Sequence, residues 1–262
     1  MSGRLNPAVA LAVLERAEHE RTAVAPLTDE WPDLDLRTAY DIQDAALQRR
    51  LERGERLVGI KLGLTSRAKQ ERMGVASPLV AWLTDAMVLP AGAPVPQGAL
   101  IHPRAEPEIV FVMGERLVGP GVTAVQALAA VDEVYGGVEI IDSRFADFRF
   151  TLPDVVADNA SSARFVLGPV GVSPAGLDLS LEACLVEVDG KVVDSATGAA
   201  VQGHPAEALA LAANTLAERG RAIEAGWLVL TGGMTDAFPV TQATSGAVSF
   251  THLGRIPIAS GE

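Results

Sequence analysis

His102-Pro103-Arg104-Ala105-Glu106-Pro107-Glu108-Ile109-Val110-Phe111 is the stretch around which the rest of the chain is read. From Glu108 it runs on through Ile109, Val110, Phe111, Val112 and Met113 and halts at Gly114, the pattern of a buried strand. Glu106 and Glu108 are two residues apart, so in extended backbone both carboxylates leave the same face. Like charges held side by side against apolar sequence repel. Either one acid takes a proton or a cation sits between them. Hard divalent ions such as Mg²⁺ and Mn²⁺ prefer oxygen ligands of this kind. A solvated strand end also fits Glu-x-Glu, and the spacing alone leaves both readings open.

A third acid brings the cation reading level with the other. Tyr135-Gly136-Gly137-Val138-Glu139-Ile140-Ile141-Asp142 is a second apolar run, broken by a glutamate where a buried strand should have none. Glu106, Glu108 and Glu139 together would give three carboxylate ligands and leave positions open for substrate and water. Lys61 lies inside a further apolar run, Leu57 to Leu64. It either snorkels to water or faces a cleft, where it could pair with a substrate carboxylate or move a proton.

Composition sets the limits. The chain has 262 residues, enough for one large domain or a main domain with an appendage. Hydrophobic residues make up 48 % and charged residues 21 %, which suits a folded enzyme and not a disordered chain. A formal net charge of −12 argues against nucleic acid or an anionic membrane surface as partner. It would also repel an anionic substrate, which a bound cation would help to capture. Cys184 is the single cysteine, so no intrachain disulfide forms, and it reads as a small buried apolar residue. Residues 8–14 are apolar, but Arg16, Glu18 and Glu20 follow, which fits an amphipathic helix better than a signal peptide. No apolar run reaches membrane-spanning length, and a cytoplasmic protein is expected.

The remaining pattern is α+β. Asn6-Pro7 opens a helix over 6–21, and a second helix, starting near Thr38, ends at Gly54. These form an N-terminal helical layer, 1–56, ahead of a catalytic β-rich domain, 57–262. Ser66 is expected to cap a helix after the Lys61 strand. Val122 to Val134 reads as a helix capped by Thr123, and Asp154 to Ser162 as a polar loop. Asp189-Gly190 reads as a hairpin turn, and 205–219 as an alanine-rich helix. The final strands are expected at 227–231, 246–250 and 254–258. The four histidines show no zinc spacing, and the chain carries no Gly-x-Ser-x-Gly, phosphate loop or dinucleotide fingerprint.

Taken together, Tyr40-Asp41-Ile42-Gln43, Lys61 to Ser66, His102-Pro103-Arg104, Glu106-Pro107-Glu108, Glu139 to Arg144 and Val156 to Ser162 resemble the fumarylacetoacetate-hydrolase superfamily. The branch is that of the bacterial meta-cleavage hydratases and decarboxylases, and the resemblance spans nearly the whole chain. It implies a mixed β-roll or barrel-like domain with flanking helices. It also implies a Mg²⁺ (or Mn²⁺) held by Glu106, Glu108 and Glu139, with Lys61 as the active-site lysine.

Within the branch, Phe150 to Asn159 and Thr231-Gly232-Gly233-Met234-Thr235 resemble the decarboxylases of 4-oxalocrotonate (2-oxo-3-hexenedioate). Hydratases of 2-hydroxypenta-2,4-dienoate tend to carry an acid near the position of Leu79, following Gly74-Val75, and leucine transfers no proton. Val80-Ala81 departs from a Tyr-Gly-like pair usual in both, and Gly136-Gly137-Val138 is smaller than usual. Both departures suggest a reshaped pocket. Ser161, Thr244 and Arg144 are candidates for binding substrate oxygens, Arg144 being equally suited to pair with Asp142 or Asp158. The resemblance further implies a homo-oligomer and a complex with a partner hydratase. A non-catalytic stabilising subunit is the alternative that retention of Lys61 and the three acids argues against.

Overall fold

The computed structural model describes residues 6–66, 70–71, 78–241 and 245–261. Its strands are β1 (Leu57–Gly63), β2 (Leu79–Thr84), β3 (Val88–Leu89), β4 (Val95–Pro96), β5 (Arg104–Met113), β6 (Val131–Ile141) and β7 (Ser162–Val172). They continue as β8 (Ala183–Val188), β9 (Lys191–Thr197), β10 (Leu228–Leu230), β11 (Phe238–Pro239), β12 (Ser245–Phe250) and β13 (Arg255–Gly261). Eight of them form a mixed sheet in the order β2-β1-β10-β5-β6-β7-β3, with β11 on the end of β5. The other five form a second sheet, β4-β13-β12-β8-β9.

Side-chain alternation explains how the large sheet is used. The cross-strand row Ile60, Val229, Phe111 and Val134 is fully buried and joins the main core, which the helix Pro205–Glu218 and the second sheet complete. Each such side chain contributes about 1.5–3 kcal/mol relative to exposure. One residue along, the row Lys61, Leu230, Val110 and Tyr135 leaves the opposite face. Glu106, Glu108 and Glu139 share that opposite face. The sheet therefore has one side for stability and one side for chemistry.

The N-terminal helices Pro7–Glu20 and Leu36–Glu52 cover one end of the chemical side. Leu11, Leu14, Trp31 and Ile42 cluster with Leu79, Phe145, Val155 and Val156. The second helix starts earlier than its sequence suggests because Asp35 caps it, accepting from the Thr38 N–H at 2.7 Å. Among the described residues, no helix is long and apolar enough to cross a membrane.

Two expectations fail. The helix capped by Thr123 covers only Ala124–Ala129, and Val131-Asp132-Glu133-Val134 is already strand, its alternating pattern overriding helical propensity once β5 is there to pair with it. Asp154 to Ser162 is not simply a loop, since Leu152–Ala157 is a helix. Its polar residues are spent internally. Asp154 is fully buried and accepts from Thr151 N–H (2.8 Å), Thr28 N–H (2.9 Å) and Thr28 Oγ1 (2.7 Å), tying this helix to the N-terminal layer. Gly74-Val75 and most of the segment after Ser66 lie outside the described residues, as does Thr244.

The hairpin at Asp189-Gly190 forms as its dipeptide suggests, with both residues at positive φ (50° and 75°), as a type I′ turn requires. Cys184 is buried, and burial pushes its thiol up to about 11, so it is inert.

Candidate metal centre and active site

The register of the sheet assembles the acids. Glu106 pairs directly with Glu139 across β5 and β6, and Glu108, two residues on, faces Gly137. One oxygen from each of Glu106, Glu108 and Glu139 lies within 4.8 Å of the other two. Glu108 and Glu139 are completely buried. Glu139 is gripped at both oxygens, by Lys61 Nζ at 3.0 Å and Ser162 Oγ at 2.8 Å. Glu108 accepts from the Gly232 N–H at 2.7 Å through Oε2, while its buried Oε1 has no hydrogen-bond partner among the described residues.

An orphaned carboxylate oxygen beside two further acids is a costly arrangement unless a cation takes the lone pairs. Burial, followed by the charges of Glu139 and Glu106, drives the Glu108 carboxyl well above the usual carboxylate range. For Lys61 burial works to lower the ammonium, but Glu139 and then Glu106 and Glu108 outweigh it and hold the lysine above its ordinary value. The donor set is all oxygen and all anionic, which fits a hard divalent ion.

Backbone geometry crowds these side chains into place. Gly232 lies at φ +110°, and a Cβ there would fall 2.0 Å from Thr65 Oγ1; at Gly233 it would come 3.0 Å from the Glu106 carboxyl carbon. Only glycine lets the turn after β10 close over the acids. On the other side, Asn159, Ala160 and Ser161 all adopt left-handed φ of 49–60°. Three such residues in a row are strained. They are held by two Asn159–Trp82 hydrogen bonds, both 2.9 Å, and by the Asp142 N–H on the Ser161 carbonyl at 2.8 Å. This turn delivers Ser161 to the cavity and Ser162 to Glu139.

The cavity beside the acids is open to solvent. Lys61, Glu106 and Ser161 line its polar end, and Leu64, Leu79, Phe148, Phe150 and Val155 its apolar walls. Arg144 is not brought there. Its guanidinium is buried against Asp158, donating from Nε to the carboxylate and from an Nη to the backbone carbonyl at 2.5 Å. Asp142 is occupied elsewhere, accepting from the Ile101 and His102 N–H groups. Arg144 is thus a brace for the strained turn.

Ser162, Gly232, Phe148 and Phe150 had no role assigned from sequence. The hydroxyl at Ser162 and the paired glycines were visible in the motifs, but their partners depend on strand register.

A three-carboxylate pole with a buried lysine, on a curled mixed sheet, is the arrangement of a metal-centred enzyme. No protein-family model matches the chain. It is 44 % identical over 240 residues to the 4-oxalocrotonate decarboxylase of Pseudomonas sp. (strain CF600), covering 92 % of this chain and 91 % of that protein. It is 42 % identical over 228 residues to the 2-hydroxyhexa-2,4-dienoate hydratase of Comamonas testosteroni, covering 86 % of each. Among solved structures, 4-oxalocrotonate decarboxylase from Pseudomonas putida G7, complexed with magnesium and adipate, superposes with a TM-score of 0.94 at 39 % identity. The match covers 98 % of this chain and 99 % of that one. The chain belongs to the family of the 4-oxalocrotonate decarboxylases and the 2-hydroxydienoate hydratases, and its fold is shared with fumarylpyruvate hydrolase from Pseudomonas aeruginosa, with a TM-score of 0.59 at 18 % identity.

Proposed function

We propose that this protein decarboxylates 2-oxo-3-hexenedioate (4-oxalocrotonate) to 2-hydroxypenta-2,4-dienoate, with Mg²⁺ or Mn²⁺ held by Glu106, Glu108 and Glu139. The observation that carries it is the buried Glu108 Oε1, without a hydrogen-bond partner among the described residues, inside a three-acid cluster that opens onto an apolar-walled cavity. The relatives named for this decarboxylase, and the magnesium and adipate in one of them, support the reading.

When bound, the ion would supply Lewis-acid stabilisation at the substrate's 2-oxo carboxylate end, where negative charge develops. Breaking C5–C6 releases CO₂. Its electron pair becomes the C4–C5 double bond, the C3–C4 pair moves to C2–C3, and the oxo oxygen takes the charge and then a proton. Lys61, beside Glu139, would manage that proton. Ser161 offers a hydroxyl from the strained turn, and Ser162 and the Gly232 N–H fix the two buried acids. The apolar walls suit a carboxylate that leaves as a neutral molecule.

Water addition to 2-hydroxypenta-2,4-dienoate is the second reading, favoured by the hydratase relatives. Leu79, buried in the cavity wall with no proton to give, counts against it. A role purely as a stabilising subunit would leave Lys61 and the three acids without purpose. A cytoplasmic homo-oligomer, associated with a hydratase that consumes the product, completes the proposal. Purified protein supplied with the diacid and Mg²⁺ should release CO₂, and EDTA should stop it until metal is restored. Water addition to the dienoate without CO₂ release would instead make the protein a hydratase.

A further inference from the structure

Arg104 lies two residues before Glu106 on β5, so it leaves the same face as Glu106 and Glu108, with its Cα about 7 Å from that of Glu106. Its cross-strand partner is Ile141, which lines the cavity. Among the described residues, its guanidinium makes no ion pair or hydrogen bond. It rests instead over the Phe148 ring, 4.1 Å from the centroid, and Phe148 is itself a wall of the cavity. The ring is itself constrained. Asp147 and Phe148 both adopt left-handed φ (56° and 54°), a strained conformation for a bulky residue, and His102 packs against the ring at 4.7 Å.

A chain of net charge −12 spends most of its arginines on acids, as Arg49, Arg50, Arg116, Arg144 and Arg219 show. Among the described residues Arg104 is left half-buried, stacked in place and without an acidic partner, beside the cavity that Ile141 and Phe148 line. We propose that Arg104 is the specificity residue that receives the second carboxylate of the substrate, the one distant from the metal pole. The assignment rests on the decarboxylase reading for the identity of the diacid. In that substrate the second carboxylate lies four bonds beyond the oxo carbon. The guanidinium fork matches a carboxylate with two parallel hydrogen bonds.

The contact is made with the substrate and vanishes with it. Once CO₂ has left, the product has no second carboxylate, so Arg104 separates substrate from product. Because the leaving group sheds its charge, holding that charge aids binding and not the bond-breaking step. Arg104 therefore lowers KM without speeding the bond-breaking step, and its loss leaves kcat unchanged or higher.

The test compares wild type, Arg104→Lys and Arg104→Gln at saturating Mg²⁺. The probes are the diacid substrate, adipate as a dicarboxylate inhibitor and hexanoate as its monocarboxylate counterpart. Wild type should bind adipate at least about tenfold more tightly than hexanoate, the scale of one charge-assisted contact. Arg104→Gln should raise KM and the adipate inhibition constant about 10- to 100-fold, with kcat unchanged or higher and with hexanoate inhibition and Mg²⁺ affinity little changed. Arg104→Lys should recover part of the loss.

Equal binding of the two probes by wild type would overturn the assignment without any variant being needed. So would an Arg104→Gln enzyme that still prefers adipate. Failure of wild type to release CO₂ would strike the decarboxylase reading alone, since calorimetric binding of adipate against hexanoate decides Arg104 separately.

Discussion

Glu106 and Glu139 are direct cross-strand partners, two acids facing each other across the β5–β6 ladder on one side of the sheet. Their β-carbons stand about 5 Å apart in such a pair, a spacing at which like charges destabilise a sheet. With Glu108 alongside, the fold carries a repulsion that only a proton or a cation relieves.

Glu106→Gln keeps the shape and removes one charge. Metal-free protein should therefore melt at the same temperature as wild type or higher. The rise in melting midpoint that Mg²⁺ gives wild type should be lost, and turnover should fall at least about 100-fold, the scale of several kcal/mol of lost charge stabilisation. Scanning calorimetry in EDTA and in Mg²⁺ measures the midpoints, and CO₂ release measures the turnover. A midpoint that still climbs with Mg²⁺ in the variant would remove Glu106 from the ligand set.

Protons and metal should compete for the same oxygens. Burial and the neighbouring acids raise the Glu108 carboxyl in the folded protein above its unfolded value. A raised acid contributes stability that is fully present below the ordinary carboxylate range and is lost as pH climbs through the raised value. The metal-free protein should weaken over that window, and Mg²⁺ should replace the proton. The Mg²⁺-induced gain in midpoint should be larger at about pH 8 than at about pH 6, and binding should release protons. Calorimetric titration in two buffers of different ionisation enthalpy detects the release; identical observed heats in the two buffers would refute it.

How much of this was legible before folding depends on the range of the interaction. The Glu106/Glu108 pair and the misplaced Glu139 could be read because strand periodicity is local. That Glu139 lands opposite Glu106, and that Ser162 and Gly232 reach the acids, is register, which a single sequence does not encode in any short window. The helix Leu152–Ala157 was hidden because Asp154 looks like a solvated loop residue and is in fact a buried acceptor for Thr28 and Thr151. Arg144 was readable as a substrate ligand or as a brace, and only the position of Asp158 shows that its guanidinium is already taken.

Lys61 is buried in contact with Glu139 and surrounded by negative charge. It competes electrostatically with any cation for Glu139. Lys61→Met should leave Mg²⁺ affinity unchanged or tighter while turnover falls at least about 100-fold, consistent with loss of a proton-handling group. Weakened Mg²⁺ binding with turnover preserved would reverse the roles of lysine and metal.

Arg144→Met tests the brace. Removing one partner of a buried ion pair leaves the other charge uncompensated, at a cost of about 3–5 kcal/mol. Denaturant unfolding should show a loss of that order. The fraction that stays folded at low temperature should keep a KM close to wild type, because the guanidinium is not in the cavity. A KM raised tenfold with stability intact would return Arg144 to the substrate.

Leu79 is the residue that should divide the two reactions of the family. It is 4 % exposed, lies across from Gly63 in the β1–β2 ladder, and forms part of the cavity wall near Lys61. Leu79→Asp replaces an apolar wall that suits loss of a neutral molecule with a polar one, and burial favours its protonated form, able to donate to carbon. Decarboxylation should fall at least about tenfold, and a water adduct of 2-hydroxypenta-2,4-dienoate should become detectable by chromatography. Leu79→Asn, equal in size but with no carboxyl proton, should lose decarboxylation without gaining the adduct. If Leu79→Asp releases CO₂ at the wild-type rate and forms no adduct, the choice between losing CO₂ and adding water is made elsewhere in the cavity.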